Sequence, residues 1–181
     1  MGIPSGYTSA QVVQAVPTGI NSALVLISST TIGNAVSSVT VSNAFSSTYD
    51  NYKILISGGA SSALGGLSLQ LGATTTGYYW SVPRLVYGGA ASNETGANGS
   101  SFTSVGGMNA DGLGMNVDLI APFLSKNTFY YSNQVANGTS SVAGGGGGFL
   151  NNTTSYTAFT VAPSSGTLTG GTIRVYGYIN S

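Results

Sequence analysis

The sequence contains neither cysteine nor histidine, and these two absences exclude much of catalytic chemistry. Without cysteine there is no disulfide bond, no thiolate nucleophile and no thiolate metal ligand. Without histidine the usual proton shuttle and the commonest metal ligand are missing. Ser-His-Asp and Cys-His catalytic arrangements are therefore impossible, and we expect a protein that is not an enzyme and has no catalytic residues.

Carboxylates are the remaining candidates for acid–base or metal chemistry, and there are only four of them. They are scattered along the chain as Asp50, Glu94, Asp111 and Asp118. Asp111 lies in the segment Asn109-Ala110-Asp111-Gly112, which is compatible with a weak calcium site but more typical of a turn, because calcium needs about six to eight oxygen ligands. We expect no metal ion and no organic cofactor.

Charge is scarce along the whole chain. Only 4% of the residues are Asp, Glu, Lys or Arg, and the net charge is zero, whereas ordinary soluble domains have about 25% charged residues. A protein without net charge tends to self-associate, so the composition favours a subunit of a larger assembly, with a secreted or cell-surface β-domain as the alternative. Four basic residues are too few to predict nucleic-acid binding.

Long hydrophobic runs are also missing. No apolar segment approaches the roughly 20 residues of a membrane-spanning helix, and no basic segment precedes an apolar stretch as it does in a signal peptide. We therefore expect a soluble protein that does not contact membranes.

Short segments with strand periodicity make up most of the remaining sequence. Apolar and polar residues alternate in Tyr52–Ser57, Leu67–Leu71 and Thr172–Ile179, as in strands with one buried face. About nine such segments, separated by turns and without a convincing helix, predict an all-β fold: an antiparallel β-sandwich of jelly-roll type over residues 22–181.

Several segments carry more specific predictions. The continuous apolar run in Ser22–Ser28 predicts a strand that is buried on both faces. Pro83 in Tyr78–Tyr87 predicts an edge strand or a bend. The glycine-rich stretches 88–112 and 136–148 are predicted to be long loops, and the run Gly144–Gly148 within the second predicts a mobile loop or a very close approach of two backbones.

Residues 1–21 precede the strand pattern and are predicted to form an N-terminal arm. Residues 10–16 are compatible with either a short helix or a strand. An uncharged, partly apolar arm suits docking on a neighbouring subunit, although a first strand packed on its own domain is the alternative. The candidate assembly contacts are Ile3, Tyr7, Val12, Val13 and Val16.

The aromatic cluster Tyr78-Tyr79-Trp80 is the candidate site for contact with glycans, because aromatic faces surrounded by Asn and Ser suit sugar rings. The interpretation we favour is that these side chains fill the core or a subunit interface, where Tyr and Trp are enriched.

Four segments resemble a family of small virion structural proteins of marine tailed phages, such as those that infect cyanobacteria. They are Ile3–Ala15, Val39–Ser57 with its centre Ser47-Thr48-Tyr49-Asp50-Asn51-Tyr52, Gly148–Thr157, and Gly170–Tyr178. The resemblance covers most of the chain, and its motifs are strand-and-turn sequences without catalytic content. It implies a component of the virion, with other virion proteins such as the major capsid protein or tail proteins as partners.

Two functions fit this resemblance. The short chain without a repetitive shaft favours a capsid-surface decoration, cement or knob protein. The glycine-rich segments and tyrosines fit the alternative, a tail-fibre or receptor-binding component that contacts host-surface glycans. In either position we expect a homo-oligomer, most simply a homotrimer, because phage surfaces offer three-fold and six-fold positions. A polysaccharide-degrading enzyme is disfavoured by the lack of histidine and the few acids.

Overall fold

The computed structural model describes residues 23–136 and 142–180. All the regular secondary structure within these residues is β-strand. All strand pairs are antiparallel, so the predicted all-β antiparallel fold class is confirmed. The strands are β1 (Leu24–Thr31), β2 (Val39–Val41), β3 (Asn51–Ser57), β4 (Ala60–Ser61), β5 (Gly65–Leu71), β6 (Tyr78–Val86), β7 (Ala91–Gly99), β8 (Phe102–Asn109), β9 (Gly112–Ile120), β10 (Thr128–Ala136), β11 (Val142–Leu150), β12 (Phe159–Pro163), β13 (Leu168–Thr169) and β14 (Thr172–Tyr178).

Strand β9 divides the main sheet into two layers. Its first half pairs with β8 in a hairpin, while its second half pairs on the same edge with β10. One layer therefore has the strand order β1-β14-β3-β9-β10-β11-β6-β7, and the other has β2-β12-β5-β8. Strands β4 and β13 form a small separate sheet. This arrangement is consistent with the predicted β-sandwich.

The hydrophobic core lies between the two layers. Ring contacts join them: Phe102 of β8 has its ring centroid 4.8 Å from that of Tyr78 on β6 and 4.3 Å from that of Tyr130 on β10. At the other end, Phe45 lies 4.8 Å from Tyr52 of β3. Burying side chains of this size is worth about 1.5–3 kcal/mol each, so these contacts hold the layers together.

Segments with clean alternation are the ones that the sequence predicts correctly. In β3 the inward residues Tyr52, Ile54 and Ile56 are buried, and β5 and β14 show the same pattern. In β14, however, the alternation ends early, since Ile179 lies beyond the strand and is exposed.

Two predictions about individual segments fail. Strand β1 is not buried on both faces: it pairs only with β14, and Leu26 is exposed. Of the two alternatives for Tyr78–Tyr87, an edge strand or a bend, the edge strand is wrong, because β6 lies between β11 and β7. Pro83 is accommodated there because the β6–β11 pairing is interrupted between Ser81 and Arg84, where the missing N–H breaks no ladder.

The glycine-rich stretches are strands rather than long loops. Residues 88–112 contain β7 and β8, and residues 136–148 contain most of β11. Of the two readings of Gly144–Gly148, the close approach of backbones is the correct one. A Cβ atom on Gly148 would lie 2.2 Å from the carbonyl oxygen of Tyr79 on β6, and one on Gly144 would lie 2.5 Å from that of Pro83.

The predicted arm, residues 1–21, lies outside the described residues, and so do its candidate assembly contacts Ile3, Tyr7, Val12, Val13 and Val16. The jelly-roll connectivity stays a prediction. In the part of the chain that the structure describes, no helix is long and apolar enough to cross a membrane.

Candidate functional site

The three aromatic residues proposed for glycan contact are separated by the alternation of β6. Tyr78 and Trp80 face inward, and Tyr79 faces outward. The Tyr78 hydroxyl is buried and accepts a hydrogen bond of 2.8 Å from the Leu71 N–H, and burial raises the pKa of Tyr78 above its usual value. Tyr79 stacks on Phe149 of β11 with centroids 5.1 Å apart. Of the three, Trp80 lines a cavity.

We call this cavity the Trp80 cavity. It has a volume of about 580 Å³ and lies on the inward side of β6, β7 and β10, next to the start of β5 and to β8. That volume falls in the usual range of small-molecule sites, about 300–1,000 Å³. Its polar side chains include Arg84, Glu94, Ser104 and Gln134.

An ion pair forms one wall of the Trp80 cavity. Arg84 on β6 donates to one carboxylate oxygen of Glu94 on β7, and the Ser104 hydroxyl on β8 donates to the other. The carboxylate is therefore fixed from two sides. Arg84 and Glu94 are the two charged residues that line the cavity, so its formal charge is zero.

Two other donors of residues around the Trp80 cavity have no partner in the part of the chain that the structure describes. Gln134 is only 4% exposed, and its amide nitrogen has no hydrogen-bond partner among the described residues. The same holds for Nε of Arg84. A buried polar group without a partner costs about 1–3 kcal/mol, so both groups are unusual for a site with only a structural role.

Strand β10 carries polar side chains on its inward face, whereas three of its four outward side chains, those of Phe129, Tyr131 and Val135, are aromatic or aliphatic. The inward residues Thr128, Tyr130, Ser132 and Gln134 are buried, and each has one side-chain atom without a partner in the described chain. Because Tyr130 is buried, its pKa is raised above the usual value. Because alternation is normally interpreted with the apolar side chains inward, the sequence carries no signal for Gln134 as a site residue.

The backbone around the Trp80 cavity has two special features. Ser104 lies in a bulge of β8, where the register with β5 shifts between Leu67 and Leu69, and its φ is 54°. Such a conformation is uncommon for a residue other than glycine, and bulges re-aim side chains next to functional sites. On β7, a Cβ atom at Gly96 would lie 2.2 Å from Nε1 of Trp80, so the indole requires glycine there.

A second feature is the outward side of β6, β10 and β11, which we call the outer face. Its aromatic row consists of Phe129, Phe149 and Tyr79, which are aligned by the strand register. Next to this row, Gly145 and Gly147 lie on the floor of a groove of about 480 Å³ between Tyr131 and Pro83. The twelve outward positions carry no charged residue: Tyr79, Ser81, Pro83, Leu85, Phe129, Tyr131, Asn133, Val135, Ala143, Gly145, Gly147 and Phe149.

The remaining acidic residues do not converge. Lys53 pairs with Asp118 across β3 and β9 at 3.0 Å. The Tyr178 hydroxyl donates to the same carboxylate, and burial together with this negative charge raises the pKa of Tyr178 to about 12.

Asp111 lies in the two-residue turn between β8 and β9, where its N–H donates to the Asn109 side chain. Among the described residues, no three acidic, His or Cys side chains form a group that would hold a metal ion.

Comparison with known proteins adds no assignment, since no protein-family model, no curated protein and no solved structure matches the chain.

Proposed function

We propose that this chain is a non-enzymatic structural protein of a bacteriophage particle, which forms homo-oligomers on the capsid surface as a decoration or cement protein. The assignment to a phage particle rests on the sequence resemblance described above. The outer face is the observation that carries the role in assembly.

The outer face has the composition of a protein contact rather than of a free surface. Leu85, Tyr131 and Val135 are 63%, 63% and 61% exposed. They lie on β6 and β10, the two strands that flank β11, with no charged residue on this face between them. Contiguous exposed apolar patches of this kind mark interaction sites, and aromatic residues are enriched in such contacts.

A second copy of this chain is the occupant that we propose for the outer face. The chain has zero net charge, so copies do not repel one another, and an uncharged face needs no charged complement. Closed symmetric assemblies are the rule for such subunits. A homotrimer matches the three-fold positions of a phage surface.

A tail-fibre or receptor-binding component is the second candidate, and one observation favours it. The turn between β6 and β7 presents Tyr87, which is 62% exposed, beside Gly88 and Gly89. Positive φ values of 99° and 156° shape this turn, and a Cβ atom on either glycine would meet nothing within 4 Å. An open, aromatic tip of this kind suits contact with a receptor.

Quantitative mass spectrometry and antibody labelling of purified particles distinguish the two positions. A decoration protein is expected in hundreds of copies, with labels over the whole capsid. A tail component is expected in a small multiple of three or six, with labels confined to the tail. Absence of the protein from purified particles would contradict both.

A further inference from the structure

We propose that the Trp80 cavity binds a neutral saccharide, with Gln134, Arg84 and Glu94 as its hydrogen-bonding groups. This inference goes beyond the assembly role proposed above and holds for either position in the particle. It rests on three properties of the cavity: unpaired donors, a fixed acceptor and an aromatic wall.

The unpaired donors are the strongest of these properties. Gln134 and Arg84 line the cavity, and the Gln134 amide nitrogen and Nε of Arg84 are buried and have no partner among the described residues. Leaving two such groups unpaired costs about 1–3 kcal/mol each. A ligand hydroxyl group that a rotation of these side chains brings within reach accepts their hydrogen bonds and recovers that free energy.

The acceptor is the Glu94 carboxylate, which Arg84 and Ser104 hold in place. An ionised carboxylate accepts about four hydrogen bonds, so the two that it receives here leave capacity for a ligand. A hydroxyl group both donates and accepts, and it is therefore matched to a cavity that presents donors and a carboxylate side by side. The cavity has no net charge, because Arg84 and Glu94 balance, and this favours a neutral ligand.

The aromatic wall is Trp80. Its indole packs against Gly96 of β7, where the absence of a Cβ atom leaves room for the ring. An indole gives a ligand a large apolar surface, which suits the C–H face of a sugar ring. Polyols without a ring would lack this contact.

Fluorescence gives a direct test because Trp80 is the only tryptophan of the chain. The full-length protein is titrated separately with glucose, galactose, mannose, N-acetylglucosamine and maltose up to about 10 mM, which detects sites with millimolar Kd. Glycerol at the same concentration is the control for a polyol without a ring. We expect at least one saccharide to give a saturable change in Trp80 emission and glycerol to give none.

Two variants assign the binding to the cavity. Gln134→Met removes the donors while keeping a side chain of similar length, and Glu94→Gln removes the ionised acceptor. Each is expected to raise Kd about tenfold or more, the effect of losing one hydrogen bond of about 1.4 kcal/mol. Gln70→Met makes the same exchange on β5, outside the Trp80 cavity and the outer face, and is expected to leave Kd unchanged.

Circular dichroism and the melting temperature of each variant establish that it is folded. If Glu94→Gln fails to fold, Gln134→Met alone decides, because removal of an unpaired buried amide is not expected to lower stability. The proposal is overturned if none of the five saccharides changes the emission. It is also overturned if a saturable change persists with the same Kd in folded Gln134→Met.

Discussion

At the scale of single residues, two buried tyrosines differ in whether the hydroxyl group has a hydrogen-bond partner, and this difference determines what the hydroxyl contributes to stability. The hydroxyl of Tyr78 accepts a hydrogen bond from the Leu71 N–H and also lies 3.3 Å from the Thr74 carbonyl oxygen. The hydroxyl of Tyr130 has no partner among the described residues. Both rings contact Phe102, so the two residues form a matched pair.

Replacing each of these tyrosines by phenylalanine is expected to have opposite effects. Tyr78→Phe leaves the Leu71 N–H unpaired in the core and should lower the free energy of unfolding by about 1–3 kcal/mol. Tyr130→Phe removes a buried hydroxyl that has no partner and should be neutral or stabilising. Urea unfolding of the two variants and the unsubstituted protein measures both effects. A loss of stability in Tyr130→Phe as large as that in Tyr78→Phe would contradict the assignment of partners.

Alkaline pH should destabilise the protein through tyrosine residues whose pKa is raised in the folded state. The pKa of Tyr178 is raised to about 12, and burial also raises the pKa of Tyr78 and of Tyr130, whereas tyrosine in an unfolded chain has a pKa of about 10. Above pH 10 the unfolded state loses these protons first. The stability that they contribute is therefore complete below about pH 10 and is lost as the pH rises toward 12.

Urea midpoints at a series of pH values from about 8 to about 11.5 test this expectation. The midpoint should be flat up to about pH 9.5 and then decline. Tyr130→Phe should decline less steeply, because one group with a raised pKa is missing. A midpoint that stays constant up to pH 11.5 would show that these hydroxyls do not differ between the folded and unfolded states.

At the scale of strands, β11 shows why the sequence misleads in glycine-rich regions. Five consecutive glycines carry no alternation of apolar and polar side chains, so the pattern that identifies β3 and β5 is missing. What makes Gly144–Gly148 a strand is the neighbouring chain on each side, β10 and β6, whose backbones approach closely. This constraint comes from tertiary packing, and a single sequence does not contain it in readable form.

Substitution by alanine distinguishes glycines that are required from those that are not. A Cβ atom on Gly148 would lie 2.2 Å from the Tyr79 carbonyl oxygen and 2.8 Å from the Tyr130 ring, whereas one on Gly114 of β9 would meet nothing within 4 Å. Gly148→Ala is therefore expected to destabilise the protein by about 1–3 kcal/mol or more. Gly114→Ala is expected to be neutral or to stabilise by about 0.4–1 kcal/mol, because it restricts the unfolded chain.

Thermal or urea unfolding measures both changes. If Gly148→Ala were as stable as Gly114→Ala, the close approach of β11 to β6 would be wrong, and the prediction of a mobile loop would stand again.

The candidate site illustrates a similar limit on reading strands from sequence. Alternation reveals which residues share a face, so Tyr78 and Trp80 are assigned to one side of β6 and Tyr79 to the other. It does not reveal which face is inside when polar residues are buried, as they are on β10. Gln134 and Ser104 join the cavity only because β8 and β10 meet near the division of the sheet at β9.

At the scale of the whole molecule, the few charges and the uncharged outer face both support the proposal that the chain self-associates. Strand periodicity predicts the all-β fold class, which is confirmed, and composition predicts self-association, which stays a prediction. Composition does not say which surface would mediate contact. That surface emerges only when β6, β10 and β11 lie side by side, since their outward residues are far apart in the sequence.

Placing a charge on the outer face tests its role in assembly. Leu85→Glu introduces a carboxylate beside Ala143 and in line with Val135 across the three strands, and burying it against a second copy would leave a charge without a partner. Because Leu85 is exposed in the single chain, the substitution should change the stability of the subunit by less than about 0.5 kcal/mol. Ser47→Glu, at an exposed turn outside the three strands of this face, is the matched control.

Sedimentation equilibrium of the three proteins at equal concentration gives the decisive comparison. The unsubstituted protein and Ser47→Glu are expected to have the mass of the same oligomer, most simply a trimer. Leu85→Glu is expected to shift toward the monomer by about tenfold or more in its dissociation constant, since a buried unpaired charge costs several kcal/mol. An unsubstituted protein that is monomeric at high concentration would refute self-association, and an oligomer that tolerates Leu85→Glu would place the contact on another surface.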